Sequence, residues 1–330
     1  MKLNTIAEIG QAHDGSIGIL HSYIDALSKT GVDVIKFQMH FANEESSKYE
    51  RFRVNFSYQD KSRFDYWKRM ELTQDQWLEL KKHCDENKVE FLCTPFSIKA
   101  IKLLEKLNVK RYKIGSADLT NKLLLEHVCK TKKDIIISTG LSSIHEIDNT
   151  VSFLKQKKMN ITILECLTKY PHSPNEVNLQ NLNLYKKRYK CDVGLSDHSG
   201  SIIPSIAAAS IGANLLEFHS VFSKEMFGPD SSSSLTIKEI AELVNNLKIV
   251  KKIRNKSNFN KSNVKYSKIF SRSLILNKSK KINDVINLND LEAIKPSGKG
   301  IDPKDLDKVL KKRLNKNKKK YAYLKYTDLI

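Results

Sequence analysis

The 330-residue chain has no C-x-x-C pair, no apolar run approaching a membrane span, and no glycine-rich phosphate loop. Its five cysteines, Cys84, Cys93, Cys129, Cys166 and Cys191, stand apart. That spacing excludes a structural zinc site and points to a reducing cytoplasm. The apolar stretches fall well short of the ~20 residues that cross a bilayer. The polar stretch from Glu8 to Gly15 arrives too early to leave room for a signal-peptide core. Neither G-x-x-x-x-G-K-[ST] nor G-x-G-x-x-G occurs, so a phosphate is not expected to be gripped as in a nucleotide-binding fold. Acidic residues are short too, 37 against 57 basic, for a net charge of +20. Such an excess raises nucleic acid as a partner. The lysines, however, are scattered over helix faces, and no pattern of stacking aromatics accompanies them. The expectation is a solvated basic surface, part of which draws in anionic substrates. An apolar fraction of 40% with two tryptophans fits a soluble globular protein.

What is present is alternation. Short β-type runs at 4–10, 32–39, 89–95, 111–116, 134–139, 161–166, 192–198 and 214–220 are each followed by an amphipathic helical segment. The helical segments are 17–30, 73–88, 98–107, 122–132, 143–157, 178–189, 200–212 and 236–254. Capping boxes mark three of the starts: Thr73 with Gln76, Ser143 with Glu146 and Thr236 with Glu239. Eight β-α units over about 250 residues is the count of a (β/α)8 TIM barrel; an open doubly wound sheet is the competitor. The stretch 41–72 is long for a βα loop, aromatic and charged, and reads as a lid. A catalytic barrel over 1–254 is therefore expected, then an Asn-, Ser- and Lys-rich linker at 255–267. A small β-leaning module at 268–330 follows, marginal alone. No internal repeat beyond the β-α alternation is apparent.

Catalytic residues of such barrels sit at the C-terminal ends of the strands. Polar residues gather at all of them: Glu8, Lys36 and Gln38, Thr94, Lys113 and Ser116, Ser138, Thr168 and Tyr170, Ser196 and His198, Glu217 and His219. Burying such groups unpaired costs about 1–3 kcal/mol each, so they need a purpose. One strand-end Ser or Thr is readily explained as a helix cap; a set spread over eight strands is not. Residues two apart share a strand face, so Ser196 aligns with His198 and Glu217 with His219. Neighbouring strands lie roughly 4.8 Å apart, which lets the two histidines meet on one divalent metal that polarises a carbonyl. Lys36, Lys113, Thr94, Ser116, Ser138 and Ser196 supply cations and hydroxyls suited to a phosphate plus a carboxylate. Lys36 and Lys113 have no nearby partner in the sequence, so an anion is expected to neutralise them. Glu8 and Glu217 can move protons. The set fits a small phosphorylated carboxylic acid joined to an aldehyde.

Several motifs, in order, resemble the sialic acid synthase family: Ala7-Glu-Ile-Gly10 with His13-Asp-Gly15, Lys36-Phe-Gln-Met-His40, Thr94-Pro-Phe-Ser97, Lys113-Ile-Gly-Ser116, Ser138-Thr-Gly140, Leu195-Ser-Asp-His198, Glu217-Phe-His219 and Gly228-Pro-Asp230. The resemblance implies condensation of phosphoenolpyruvate with N-acetylmannosamine or a related amino sugar, a legionaminate-type acceptor included, to a nine-carbon keto acid. It assigns Lys36, Thr94, Lys113, Ser116, Ser138 and Ser196 to phosphoenolpyruvate, and Glu8 and Glu217 to acid–base work. His198 and His219 would hold manganese, or magnesium or cobalt. Gln38, Asp118, Tyr170 and Asp230 would line the sugar and metal region. It further implies that 268–330 is an antifreeze-like (SAF) domain, exchanged in a domain-swapped homodimer, with Lys295 where the family usually has an arginine for the sugar's acyl group. Ala12, Thr168, Phe218 and Lys295 depart from the family pattern, and lysine lacks arginine's bidentate fork. Rival readings are a phosphoenolpyruvate-using barrel making a seven- or eight-carbon sugar, and a non-catalytic basic binding protein. The C-terminal module argues against the first, and the intact lysines and histidines against the second.

Overall fold

The computed structural model describes residues 3–54, 56–255 and 264–330, which form two compact units, 1–256 and 257–330. In the first, eight parallel strands run β1 (Asn4–Glu8), β2 (Val34–Met39), β3 (Glu90–Pro95), β4 (Arg111–Ile114), β5 (Asp134–Ser138), β6 (Ile161–Cys166), β7 (Asp192–Asp197) and β8 (Leu215–Val221). Each pairs with the next, and β8 returns to β1 with Glu8 opposite His219, closing the (β/α)8 barrel. A two-residue strand, Leu235–Thr236, extends the edge beyond β8. Helices cover the outside, and the three capping boxes form as the sequence reading expects.

Side-chain alternation divides the strands into two layers. Ile35, Phe37 and Met39 point into the large core shared with the helices, whereas Ile6, Val34, Leu92, Ile136, Leu164 and Leu215 form a separate plug inside the barrel. Phe218 belongs to the outer layer and is buried there. Gly194 permits the plug to close: a Cβ on it would lie 2.0 Å from the Leu215 carbonyl oxygen and 2.6 Å from Leu164. Above the apolar plug, the inward positions become polar.

The 41–72 segment is an ordered cap rather than an open loop. Two helices, Ala42–Glu45 and Arg63–Met70, pack Tyr66, Trp67 and Met70 against Ala42, with Phe52, Phe56 and Phe64 around them. Arg69 ties the cap down through Asp14 and braces it internally through Asp60.

The linker expected at 255–267 falls mostly outside the described residues; Ser267 already belongs to a helix, Val264–Phe270. Among its described residues the second unit has one regular ladder, Ser273–Leu276 antiparallel to Leu291–Ile294. The expectation of no internal repeat is corrected here. Asn277, Lys278, Lys280 and Asp290 recur as Asn315, Lys316, Lys318 and Asp328, a constant separation of 38 residues. Asp290 is held by Lys278 and Lys280, and Asp328 by Lys316 and Lys318. Lys280 and Lys318 exchange backbone hydrogen bonds of 2.8 Å with each other, as residues on a local two-fold axis must. The repeat escapes a sequence reading because its lysines merge into a lysine-rich background. The apolar core of this unit is small, Leu274, Leu276, Ile286, Ile301, Val309, Leu314 and Leu324, so these two ionic clusters carry much of its definition.

Candidate active site

The strand register assembles the site. Glu8 on β1 lies opposite Lys36 on β2, and Ser196 on β7 opposite Glu217 on β8. The Lys36 ammonium is 2.8 Å from Glu8 Oε2 and 3.6 Å from Glu217 Oε1, and donates to Thr94 Oγ1 at 3.3 Å. The Lys113 ammonium donates to Ser138 Oγ at 2.7 Å and is 3.4 Å from Glu217 Oε1. Ser196 donates to the same Glu217 oxygen at 3.0 Å. All four charged groups are at least 95% buried. The expectation that the two lysines lack protein partners is therefore wrong: Glu8 and Glu217 neutralise them. Neighbours across a sheet are remote in sequence, and only barrel closure brings Glu217 to Lys36. Asp118 is not the partner of Lys113.

Two cations and two carboxylates balance, but the balance is uneven. Burial pulls both lysines downward; for Lys36 the pull of Glu217 and Glu8 more than reverses it, whereas Lys113 stays below its ordinary value. Burial pushes Glu217 up, yet Lys113, Lys36 and the Ser196 hydroxyl outweigh it and hold the carboxyl well below the usual range. Glu217 Oε2 remains without a hydrogen bond although fully buried, and Glu8 Oε2 has the Lys36 ammonium at 2.8 Å as its one partner. Such an orphan oxygen on Glu217 faces a use or a penalty.

His198, just past β7, and His219 on β8 bring their ring centroids within 5.2 Å. His198 Nδ1 lies 3.0 Å from the Leu167 carbonyl oxygen, which can only accept, so that nitrogen carries the proton and Nε2 is the free one. Burial lowers the basicity of both rings, favouring the neutral form that ligates metals. Asp230 Oδ2 is 3.9 Å from His219 Nδ1. Among the described residues no group of three or more His, Cys, Asp or Glu side chains converges as a metal site.

A cavity of about 180 Å³ is lined by Glu8, Lys36, Gln38, Thr94, Lys113, Ser116, Ser138, Tyr170, Ser196, His198, Glu217 and His219. Twelve of the fifteen residues given a role from the sequence thus meet in one place, and the strand-end Thr168 lines it with them. Three do not line it. Asp118 lies in a neighbouring cavity. Asp230 is engaged by Arg53 at 2.7 Å. Lys295 belongs to the second unit, exposed, with its ammonium 5.2 Å from the Phe270 ring centre. Sequence reasoning did not assign Cys166, Phe96 or Arg53 to the site. Cys166 pairs in register with Ser196, so its inward position was legible from strand alternation. Arg53, whose guanidinium lies 4.3 Å from the Tyr170 ring centre, arrives from the cap and left no periodic signal.

A closed (β/α)8 barrel with buried lysines, carboxylates and histidines at the C-terminal strand ends defines a barrel enzyme of the kind that handles small anionic substrates. The chain belongs to the NeuB family, whose sequence profile matches residues 23–258. It is 32% identical over 322 residues to the N,N'-diacetyllegionaminic acid synthase of Campylobacter jejuni, covering 95% of this chain and 96% of that one. With the human N-acetylneuraminate-9-phosphate synthase it shares 31% over 253 residues, 75% of this chain and 70% of the other. The crystal structure of the N-acetylneuraminic acid synthetase of Leptospira borgpetersenii, in complex with citrate, superposes with a TM-score of 0.71 at 28% identity. That superposition covers 81% of this chain and 90% of the other.

Proposed function

We propose that this protein condenses phosphoenolpyruvate with an acylated amino sugar, N-acetylmannosamine or a relative, to give a nine-carbon 2-keto sugar acid and phosphate. The observation that carries the reading is the buried cluster of Lys36, Lys113, Glu8 and Glu217 beside the His198–His219 pair, in a chain of this family. Lys36 and Lys113, with Thr94, Ser116, Ser138 and Ser196, hold the phosphate and carboxylate by charge-assisted hydrogen bonds. The bound anion takes up ammonium contacts that Glu8 and Glu217 share in the free site, which releases a carboxylate for proton transfer. The substrate methylene carbon bonds to the aldehyde carbon of the sugar. Water then adds to the former enol carbon, Glu217 or Glu8 passing its proton to the alkoxide left from the aldehyde, and the C–O bond to phosphate breaks as the new hydroxyl becomes the keto group, its proton leaving with phosphate.

A divalent ion, manganese or else magnesium or cobalt, fits the histidine pair. The carbonyl-anchored ring of His198 leaves one nitrogen free, and two protein ligands leave positions for water and substrate. When bound, the ion polarises the sugar aldehyde. The exchange of C-terminal units in a homodimer, Lys295 of one chain serving the other's acceptor, belongs to the same proposal. So do an antifreeze-like character for that unit and a cytoplasmic location, which suits the five free cysteines. No described helix is long and apolar enough to cross a membrane. The near full-length match to a diacetyllegionaminic acid synthase favours, as a second reading, a doubly acylated acceptor.

The test is phosphate release from phosphoenolpyruvate across a panel of acylated amino sugars, with mass spectrometry of the product. A product heavier than the acceptor by the three-carbon keto acid is expected; no release with any acceptor refutes the proposal.

A further inference from the structure

Two residues past the inward Gln38 stands His40, buried just after β2 and without a part in the reaction described above. Its ring is stacked on Trp67 with centroids 4.0 Å apart and on Phe96 at 4.6 Å, 20° and 10° from parallel, so its plane is fixed. His40 Nδ1 lies 2.8 Å from Glu45 Oε1, on the cap helix Ala42–Glu45. Its Nε2 lies 3.1 Å from Gln38 Oε1. Gln38 Nε2 in turn donates to Glu8 Oε1 at 2.7 Å, and Glu8 Oε2 meets the Lys36 ammonium at 2.8 Å. A chain of polar contacts thus runs from the cap to a carboxylate placed to move protons.

Each link dictates the next. An ionised carboxylate can only accept. A reversed Gln38 amide would set its oxygen 2.7 Å from Glu8 Oε1, acceptor against acceptor, so the NH2 faces Glu8 and the oxygen faces His40. That oxygen takes a second donor, Gln11 Nε2 at 3.2 Å, whose own oxygen accepts from Tyr66 of the cap at 3.3 Å. His40 therefore has an acceptor at each nitrogen, a carboxylate oxygen and an amide oxygen; both nitrogens donate, and the ring is an imidazolium. The surroundings suit a cation. Glu45, Glu50 and Asp118 line the same cavity together with the Arg63 guanidinium, and the faces of Trp67 and Phe96 attract positive charge. Burial, and then the charges of His40 and Arg69, push His13 down to about 3, so that ring adds no competing cation.

We propose that His40 is a positioning residue: as an imidazolium anchored by Glu45, it holds the Gln38 amide in the orientation that donates to Glu8, and so couples the seating of the cap to the aim of that carboxylate. This rests on the condensation reading above, in which Glu8 moves a proton. When a bound anion takes up the Lys36 contact, the Gln38 amide is the tether that keeps Glu8 in place for the transfer.

The experiment has a spectroscopic and a kinetic arm. In protein labelled with nitrogen-15 in its histidine rings, NMR at pH 7 reads the proton on each nitrogen. The His40 ring, identified by its absence in His40→Phe, should carry N–H at both Nδ1 and Nε2. Glu45→Gln removes the counter-charge and should leave one ring proton, on Nε2. A bare nitrogen in the wild type overturns the lock, as does a ring unaltered by Glu45→Gln. For the kinetics, His40→Phe keeps an aromatic ring against Trp67 and Phe96 but has no donor. Its kcat should fall about 10- to 100-fold, while KM for phosphoenolpyruvate changes less than threefold. Because His40 acts through Gln38, the pair His40→Phe with Gln38→Leu should be within twofold of Gln38→Leu alone. A role confined to folding of the cap predicts that the two losses multiply; that result, or an unchanged kcat in His40→Phe, overturns the assignment. If thermal melting shows that His40→Phe does not fold, His40→Phe with Glu45→Gln, which strands no charge, replaces it in the cycle, and the ring signals are assigned through Glu45→Gln. Two ring protons in a protein that condenses nothing keep the lock and remove the condensation reading, whereas a missing ring proton removes the lock and leaves that reading standing.

Discussion

Replacing Lys113 by methionine isolates what a buried cation does in this site. The lysine is fully enclosed, bonded to Ser138 at 2.7 Å and 3.4 Å from Glu217. Methionine keeps most of the volume, so the cavity term is small and the electrostatic one dominates. Glu217 is left with Lys36 at 3.6 Å and Ser196 at 3.0 Å. Breaking a buried pair from one side costs about 3–5 kcal/mol. At about 2–4 °C per kcal/mol for a unit of this size, the melting temperature should fall by roughly 6–20 °C. Phosphoenolpyruvate loses one charge-assisted hydrogen bond, about 1.5–3 kcal/mol, or roughly 10- to 150-fold in affinity. Calorimetry with phosphoenolpyruvate and a thermal melt measure the two effects. The pair Lys113→Met with Glu217→Gln separates them: removing the stranded charge should recover most of the stability and none of the affinity. Unchanged phosphoenolpyruvate affinity in Lys113→Met would refute the assignment of this lysine to the anion.

Excess chelator should abolish turnover and manganese or cobalt restore it. His198→Ala should bind no metal by elemental analysis and melt within a few degrees of wild type, and full activity in chelator would sink the histidine pair as ligands. Gly194→Ala places a methyl against the Leu215 carbonyl and Leu164 and should cost about 3 kcal/mol or more; a melting temperature within 2 °C of wild type would contradict the packing of the barrel plug. Burial pushes the Asp328 carboxyl up, but Lys316 and Lys318 outweigh it and hold it down at about 2. A depressed folded pKa contributes stability above the unfolded value, about 3.9, and loses it as pH falls through the folded one. Amide signals of the second unit should therefore persist at pH 4 and collapse toward pH 2, and a midpoint near 4 would show that the lysines do not hold the carboxylate. Mixing Lys295→Ala chains, if themselves impaired, with Glu217→Gln chains should return some activity if C-terminal units are exchanged between subunits, and none from mixed dimers if each serves its own barrel.

Much of this architecture was legible in the amino-acid sequence because its cause is local. Period-two and helical hydrophobic patterns, with capping boxes such as Thr73–Gln76, are written within a few residues of one another, and all eight strands form where that pattern puts them. Inward polar residues at strand ends were legible for the same reason, since alternation alone aligns Ser196 with His198 and Glu217 with His219. The pairing of those residues across the barrel was not. That Glu217 balances Lys36 and Lys113 follows from closure of β8 onto β1, an event no local pattern encodes. The cap followed the same rule: its composition announced a lid, but that Arg53 would lie on Tyr170 and Arg63 on Trp67 depended on how an irregular segment packs. The internal two-fold of the second unit likewise became visible only when Asp290 and Asp328 were each found between two lysines. The sequence by itself determined which residues face inward, because side-chain direction is a property of the local backbone. The tertiary structure decided which of them meet, because a contact between distant segments is fixed by the closure of the whole barrel.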